Sequence, residues 1–405
     1  MSSFDNPPNV EYPEENADNL KQSYDEINDW DTLEISSSLL RGIYAMGFER
    51  PSPIQSKAIP AIIDNRDVIA QAQSGTGKTA TFSIGILNKI DTTKDETQAL
   101  VLSPTRELAQ QSASVISRLG NFMPNLRVQT QFGGQNNDNN TKTFNFTNNP
   151  HIICGCPGRV FDIIKKGRLD TKFIKIIVID EADEMLSFGF KDQIYNIFKN
   201  LEEEIQILLI SATLPTFVYP IINAIMRNPI SIRVQNDMLT LEGIKQYYVT
   251  LDNDKNKYLT LKDLFKHISL NQCIIYCNSV KRVSDLADAM KEDGFPVSCL
   301  HSQMDKAARN KAFDEFKTGT SRVLISSNVT ARGIDIQQVS IVINFDIPKN
   351  VSTYLHRIGR SGRWGRKGIG INFITVFDVA KMREIENYYK CQISQLPNDP
   401  DVFKF

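Results

Sequence analysis

Two α/β units in series, each a mostly parallel sheet flanked by helices, are the architecture this sequence predicts. Three observations lead there. Apolar runs without polar alternation recur at 67–70, 98–103, 175–180 and 206–210, as strands buried on both faces of a parallel sheet require. A helix-period stretch at 105–120 follows one of them, so the connections read as right-handed crossovers. The alternation then restarts, with strand candidates at 272–277, 296–300, 322–326 and 340–345 and a helix at 280–292. A chain of 405 residues divides naturally into two domains. The expected bounds are 30–232 and 243–405, joined by a short linker at 233–242.

Residues 1–29 carry eight acidic side chains and one lysine, net −7. With so little apolar material they cannot offset ordering entropy, and a disordered acidic tail is expected. Residues 30–240 balance at 21 basic and 21 acidic, whereas 241–405 hold 24 basic against 18 acidic, net +6. This excess suits a polyanionic partner and equally an ordinary solvated surface. The six cysteines form no C-x-x-C pair, and four histidines leave little for a zinc site, so reduced thiols are expected. The start of the chain has neither a basic region nor an apolar run, and no stretch approaches the roughly 20 apolar residues of a membrane span. A cytosolic or nuclear protein without membrane contact is expected.

Ala72-Gln73-Ser74-Gly75-Thr76-Gly77-Lys78-Thr79 lies between a predicted strand and a predicted helix. Glycines let successive N–H groups curl toward phosphate oxygens, and the helix N-terminus adds a positive dipole end. Lys78 can reach the β- and γ-phosphates, and the Thr79 hydroxyl can ligate Mg²⁺. The strict pattern begins with Gly, where this chain has Ala72. Such a loop needs an acidic partner on a neighbouring strand. Asp180, at the end of the run 176–179, can hold Mg²⁺, and Glu181 can polarise an attacking water. A nucleoside triphosphate with Mg²⁺ is therefore the expected ligand.

Asp180-Glu181-Ala182-Asp183 spells the signature of the DEAD-box RNA helicases, and further blocks resemble that family's motifs in its order. The resemblance implies a RecA-like fold for both units. Gly47-Phe48-Glu49-Arg50-Pro51-Ser52-Pro53-Ile54-Gln55 resembles the adenine-reading motif, implying ATP as the nucleotide and roles in binding it for Phe48, Arg50 and Gln55. Trp30 stands where the family keeps an upstream aromatic; simple core packing explains it equally well. The phosphate loop supplies Ser74, Gly75, Thr76, Gly77, Lys78 and Thr79. Pro104-Thr105-Arg106, Gly133-Gly134 and Pro157-Gly158-Arg159 resemble RNA contacts of the first lobe. Ser211-Ala212-Thr213 resembles the motif coupling hydrolysis to strand separation, implying coupling roles for Ser211 and Thr213. In the second lobe Asn278, Arg309 and Ser327 fall at RNA-contact positions, and Gly333 and Asp335 at nucleotide positions. His356-Arg357-Ile358-Gly359-Arg360-Ser361-Gly362-Arg363 is similar to the arginine-finger block. There Arg360 and Arg363 would reach the γ-phosphate, and Arg357 would bridge to the DEAD acids.

Within the family the chain most resembles the initiation-factor 4A ATPases, on Leu241-Glu242-Gly243-Ile244-Lys245-Gln246-Tyr247 and Phe188-Gly189-Phe190-Lys191-Asp192-Gln193-Ile194-Tyr195. That implies RNA-stimulated ATP hydrolysis, closure of two lobes on RNA, local unwinding of short duplexes and a role in cap-dependent translation initiation. It also implies a HEAT-repeat scaffold as partner, a cytoplasmic location and a monomer. Two alternatives stand beside it: a static RNA clamp like the exon junction complex core, and a member with weakened RNA coupling. Cys156, Ser302, Lys306 and Asn328 depart from the family's Thr, Gly, Gln and Asp. They bear on RNA affinity and coupling more than on phosphate chemistry.

Overall fold

The molecule is described by a computed structural model over residues 26–72, 75–133, 149–187, 189–234, 244–267, 272–328, 339–361 and 368–397. The apolar runs of the first unit lack alternation because their sheet is covered on both faces. That sheet consists of β1 (Val68–Gln71), β2 (Ala99–Leu102), β3 (Val128–Gln131), β4 (Ile152–Gly155), β5 (Ile176–Asp180), β6 (Gln206–Ser211) and β7 (Ile230–Arg233), ordered β3-β4-β2-β5-β6-β1-β7. Every pairing is parallel. In β5, Ile176 and Val178 join one apolar cluster, with α1 (Ser37–Ala45), α2 (Pro53–Ile63), α3 (Lys78–Lys89) and α4 (Arg106–Leu119). Ile177 and Ile179 join the other, with α5 (Pro157–Lys165), the short α6 (Ala182–Met185), α7 (Lys191–Phe198) and α8 (Tyr219–Ile225). Each such fully buried aliphatic contributes about 1.5–3 kcal/mol.

The second unit repeats the plan. Its strands are β8 (Ile244–Thr250), β9 (Cys273–Tyr276), β10 (Val297–Leu300), β11 (Val323–Ser326), β12 (Ile341–Asn344), β13 (Gly368–Ile374) and β14 (Ser394–Gln395), ordered β10-β11-β9-β12-β13-β8-β14, again all parallel. Ile274 and Tyr276 of β9 face α11 (Lys306–Lys317), α12 (Val351–Ile358) and α13 (Val379–Tyr389). Cys273 and Ile275 face α9 (Asn256–His267) and α10 (Val280–Glu292). Two sheets of parallel strands flanked by helices are the two RecA-like domains expected.

Trp30 is fully buried and donates Nε1–H to the Phe48 carbonyl at 3.0 Å, so it is a core residue. All six cysteines are free thiols. Among the described residues no helix is long and apolar enough to cross a membrane. In a parallel sheet the loops after the strands share one edge, and there the motif residues collect.

A candidate nucleotide site shared by two lobes

Between β1 and α3 the chain reverses over Gly75 (φ +82°) and Gly77 (φ +95°), and Gly77 caps α3. A Cβ on Gly77 would stand 2.7 Å from Gln55 Nε2, so the loop needs glycine there for conformation and for space. Lys78 is buried and donates Nζ–H to the loop's own Ala72 carbonyl at 2.7 Å. Ser52 Oγ donates to the Thr76 carbonyl at 2.8 Å, while Gln55 accepts from Ser52 N–H at 2.7 Å. Gln55 is thus buried as a brace between its helix cap and the phosphate loop. Phe48 is half-buried, and Arg50 is exposed beside it.

At the end of β5 the backbone turns through Glu181, a non-glycine residue at φ +51°, into α6. Holding a glutamate in the left-handed region costs about 1 kcal/mol or more, strain that belongs at functional sites. Asp180 accepts from the Glu181 N–H at 3.0 Å. Burial first, then the Glu181 charge, hold its carboxyl well above the usual carboxylate range, and Lys78 opposes them. Glu181 Oε2 is buried without a hydrogen-bond partner among the described residues. A cation would relieve both conditions, and the carboxylate and hydroxyl donors of Asp180 and Thr79 are hard oxygens of the kind Mg²⁺ takes. The residues present therefore fit the expected ion.

Asp183 ties the site together. Its carboxylate receives Thr213 Oγ1–H at 2.7 Å, lies 3.2 Å from Ser211 Oγ, and receives His356 Nε2–H at 3.2 Å. His356 belongs to α12 of the second lobe, so this bond crosses between lobes. A second crossing contact joins Arg309 Nη2 to Glu107 Oε1 at 2.6 Å.

Arg357, expected to bridge to the DEAD acids, is bonded within its own lobe, and His356 makes the contact to Asp183. Adjacent helical residues point about 100° apart. His356 therefore faces the first lobe while Arg357 turns inward and is fully buried. Arg357 donates to Asn328 Oδ1 (3.0 and 2.6 Å), Asn344 Oδ1 (3.1 Å), the Asp346 carbonyl (2.7 Å) and Asn278 Oδ1 (2.8 Å). Arg360 is buried one turn on, with Nε 3.2 Å from the His356 carbonyl. Ser74, Gly134, Gly333, Asp335 and Arg363 lie outside the described residues.

The expected RNA-contact residues line the same strand edges. Thr105 caps α4 by accepting from Leu108 N–H at 3.3 Å. Arg106 extends its guanidinium toward Gly133, and Pro104 is buried below. Pro157, Gly158 and Arg159 open α5, where Arg159 pairs with Asp162 at 2.9 Å. Cys156 is the N-cap of α5 and makes no side-chain cap bond, so its departure from Thr also removes a helix cap. In the second lobe, Asn278 gives its amide N–H to the Ile347 carbonyl at 2.8 Å and its oxygen to Arg357, so both ends of the amide are held within the lobe. Arg309 is held by Glu107, and half-buried Ser327 follows β11. Sequence reasoning gave no role to Asp183, His356 or Glu107. The first two lie inside motifs already singled out, and Glu107 offered only its place beside Arg106.

Residues 52–220 match the model of the DEAD/DEAH box helicases, and residues 256–365 that of the helicase conserved C-terminal domain. The chain is 49% identical over 379 residues to eukaryotic initiation factor 4A of Caenorhabditis elegans, covering 93% of this chain and 94% of that protein. It is also 49% identical over 372 residues to ATP-dependent RNA helicase FAL1 of Candida glabrata, covering 91% and 93%. Among solved structures, S. cerevisiae Dbp5 bound to RNA and ADP BeF3 superposes with a TM-score of 0.86 at 34% identity, over 93% of this chain and 99% of that one. With one model matched on each lobe and such identity along nearly the whole of a relative, the chain belongs to the DEAD/DEAH box helicase family.

Proposed function

We infer that the chain is an ATP-dependent RNA helicase, which hydrolyses ATP when RNA holds its two lobes together and separates short duplexes locally. The observation that carries this reading is Asp183, hydrogen-bonded at once to Thr213 of its own lobe and His356 of the other, two residues from Glu181. Catalytic and coupling groups share one carboxylate whose full set of partners needs both lobes. ATP and RNA then each favour the closed state and strengthen each other's binding. The superposition on an RNA- and nucleotide-bound relative supports the same view of the lobe arrangement.

In this reading Lys78 and the N–H groups from Gly75 to Thr79 hold the phosphates. Thr79 and Asp180 hold Mg²⁺, which when bound neutralises charge on the β- and γ-phosphates. Glu181 orients the attacking water through Oε2, which has no partner among the described residues. Arg360 and Arg363 come from the second lobe, and a fixed guanidinium there is worth roughly 10³–10⁵ in rate. Ser211, Thr213 and His356 report closure to the acids through Asp183. The surface of Thr105, Arg106, Gly133, Gly158 and Arg159, continued by Ser327 on the second lobe, takes RNA through phosphate and sugar, hence with little sequence preference.

The name of one relative, eukaryotic initiation factor 4A, supports a place in translation initiation; a cytoplasmic location, a HEAT-repeat scaffold as partner and a monomeric chain are proposed with it. The test is unwinding of a short labelled RNA duplex with ATP. Strand release with ATP and none with ADP supports the helicase. Stable RNA retention with ATP and no release supports the static clamp.

A further inference from the structure

We propose that Glu181, Asp183 and His356 form a binding site for a zinc-like divalent cation that pins the two lobes together and stops turnover. The carboxylate oxygens of the two acids and an imidazole nitrogen all lie within 4.8 Å of one another. The three residues are 5%, 4% and 3% exposed, so the site is enclosed. Glu181 Oε2 is buried and lacks a partner among the described residues, so this acid of the cluster keeps an acceptor to offer. Asp183 is oriented by Thr213 Oγ1–H at 2.7 Å, the outer-shell support that metal carboxylates normally have.

The donor set selects the ion. One imidazole with two carboxylates suits Zn²⁺, which accepts nitrogen and oxygen in tetrahedral sites with one position left for water. Mg²⁺ prefers an all-oxygen, mostly hydrated shell and competes poorly for an imidazole. Ligation through His356 Nε2 uses that nitrogen's lone pair, so the neutral ring carries its hydrogen on Nδ1 and the hydrogen bond to Asp183 is exchanged for two bonds to the ion. Two consequences follow from where the ligands sit. His356 comes from the second lobe, so the ion binds the closed arrangement and stabilises it without RNA. Glu181 becomes a ligand, so its carboxylate is lost to the attacking water. Closure and turnover, which RNA raises together, are driven apart by zinc.

The experiment uses the full chain, stripped with a chelator and titrated with zinc ion alone. Affinity is read by competition with a chromophoric chelator, and closure by small-angle X-ray scattering. Cys156, Cys299 and Cys391 are half-buried thiols that add background, so a variant with all three changed to Ser is titrated alongside. One zinc per chain is expected in that variant, with a smaller radius of gyration. Affinity should fall about tenfold or more in His356→Gln, and about tenfold in Thr213→Val through the outer shell. Equal zinc affinity with and without His356, or a radius unchanged by zinc, overturns the proposal. Should His356→Gln fail to fold, anomalous diffraction at the zinc edge on the unsubstituted chain decides. A peak among the three side chains supports the site, and a peak elsewhere or none overturns it.

Discussion

Asn328→Asp should stabilise this protein, although it adds a charge at a residue the native fold satisfies with an amide. The reason lies in Arg357. Its guanidinium is fully buried and, among the described residues, is met by four neutral oxygens, those of Asn278, Asn328, Asn344 and the Asp346 main chain. The nearby Asp346 carboxylate is already held by Lys257 at 3.1 Å and Arg282 at 3.0 Å. Burial pushes Arg357 from 12.5 down to about 10, opposed by Tyr276 and Asp346. That drop corresponds to about 3 kcal/mol of uncompensated charge burial. A carboxylate at 328 would take the place of an oxygen now accepting at 3.0 and 2.6 Å. At an effective dielectric near 20 the pair attracts by about 4 kcal/mol. Against this stand the lost bond to the amide, about 1.5–3 kcal/mol, and partial desolvation of the new group. Asn328 is exposed, so that desolvation is small, and the guanidinium is buried in either case. The usual objection to buried ion pairs, that two charges must be dehydrated, applies only to one. A net gain of about 1–2 kcal/mol is expected. A domain of the second lobe's size should then melt higher by about 2–4 °C for each kcal/mol. Thermal melts of the full chain by circular dichroism read it directly. An unchanged or lower melting temperature would show that Arg357 is already satisfied and would refute the reasoning.

Thr213→Val removes the shortest bond to Asp183, so ATP affinity should hold while RNA-stimulated turnover falls about tenfold, for a loss near 1–2 kcal/mol; steady-state kinetics with saturating RNA checks it. A double-mutant cycle on Glu107→Gln and Arg309→Gln should show coupling of about 0.5–3 kcal/mol in RNA affinity with a non-hydrolysable nucleotide, and little without nucleotide. His151 supplies a pH prediction. It is fully buried, accepts Arg127 N–H at Nδ1 (3.1 Å) and lies 3.0 Å from the Lys94 carbonyl through Nε2, so the neutral ring with hydrogen on Nε2 fits. Burial, then the Arg127 charge, lowers its pKa below 6.5. The unfolded chain therefore takes up this proton first, and stability should fall as pH drops through 6.5 toward the lower folded value. Urea melts at pH 7 and pH 5 should show that loss, reduced in His151→Gln.

Much of the architecture was legible because buried parallel strands write themselves as apolar runs. β2, β5, β6, β9, β10, β11 and β12 stand where such runs predicted them. β3 reads Val-Gln-Thr-Gln at the sheet edge, and β14 is a two-residue exposed edge strand, so neither carries that signal. β13 is buried along its whole length, but Gly368 and Gly370 weaken its strand pattern. At the site, Gly77, Lys78, Asp180 and Glu181 could be assigned because their chemistry is local to one loop or one strand end. The bond from His356 to Asp183 spans 173 positions, and no spacing rule reaches that far. For the same reason the sequence could not tell which of His356 and Arg357 faces the other lobe. That depended on how α12 is rotated by Tyr354 and Ile358, which bury into the second core.

The central claim is that hydrolysis waits on a site assembled from both lobes and that RNA assembles it. ATP turnover with and without single-stranded RNA, run beside Glu181→Gln, tests this most directly. The account predicts strong stimulation by RNA that disappears in the variant while ATP remains bound. Turnover equally fast without RNA, or stimulation that survives Glu181→Gln, would contradict it.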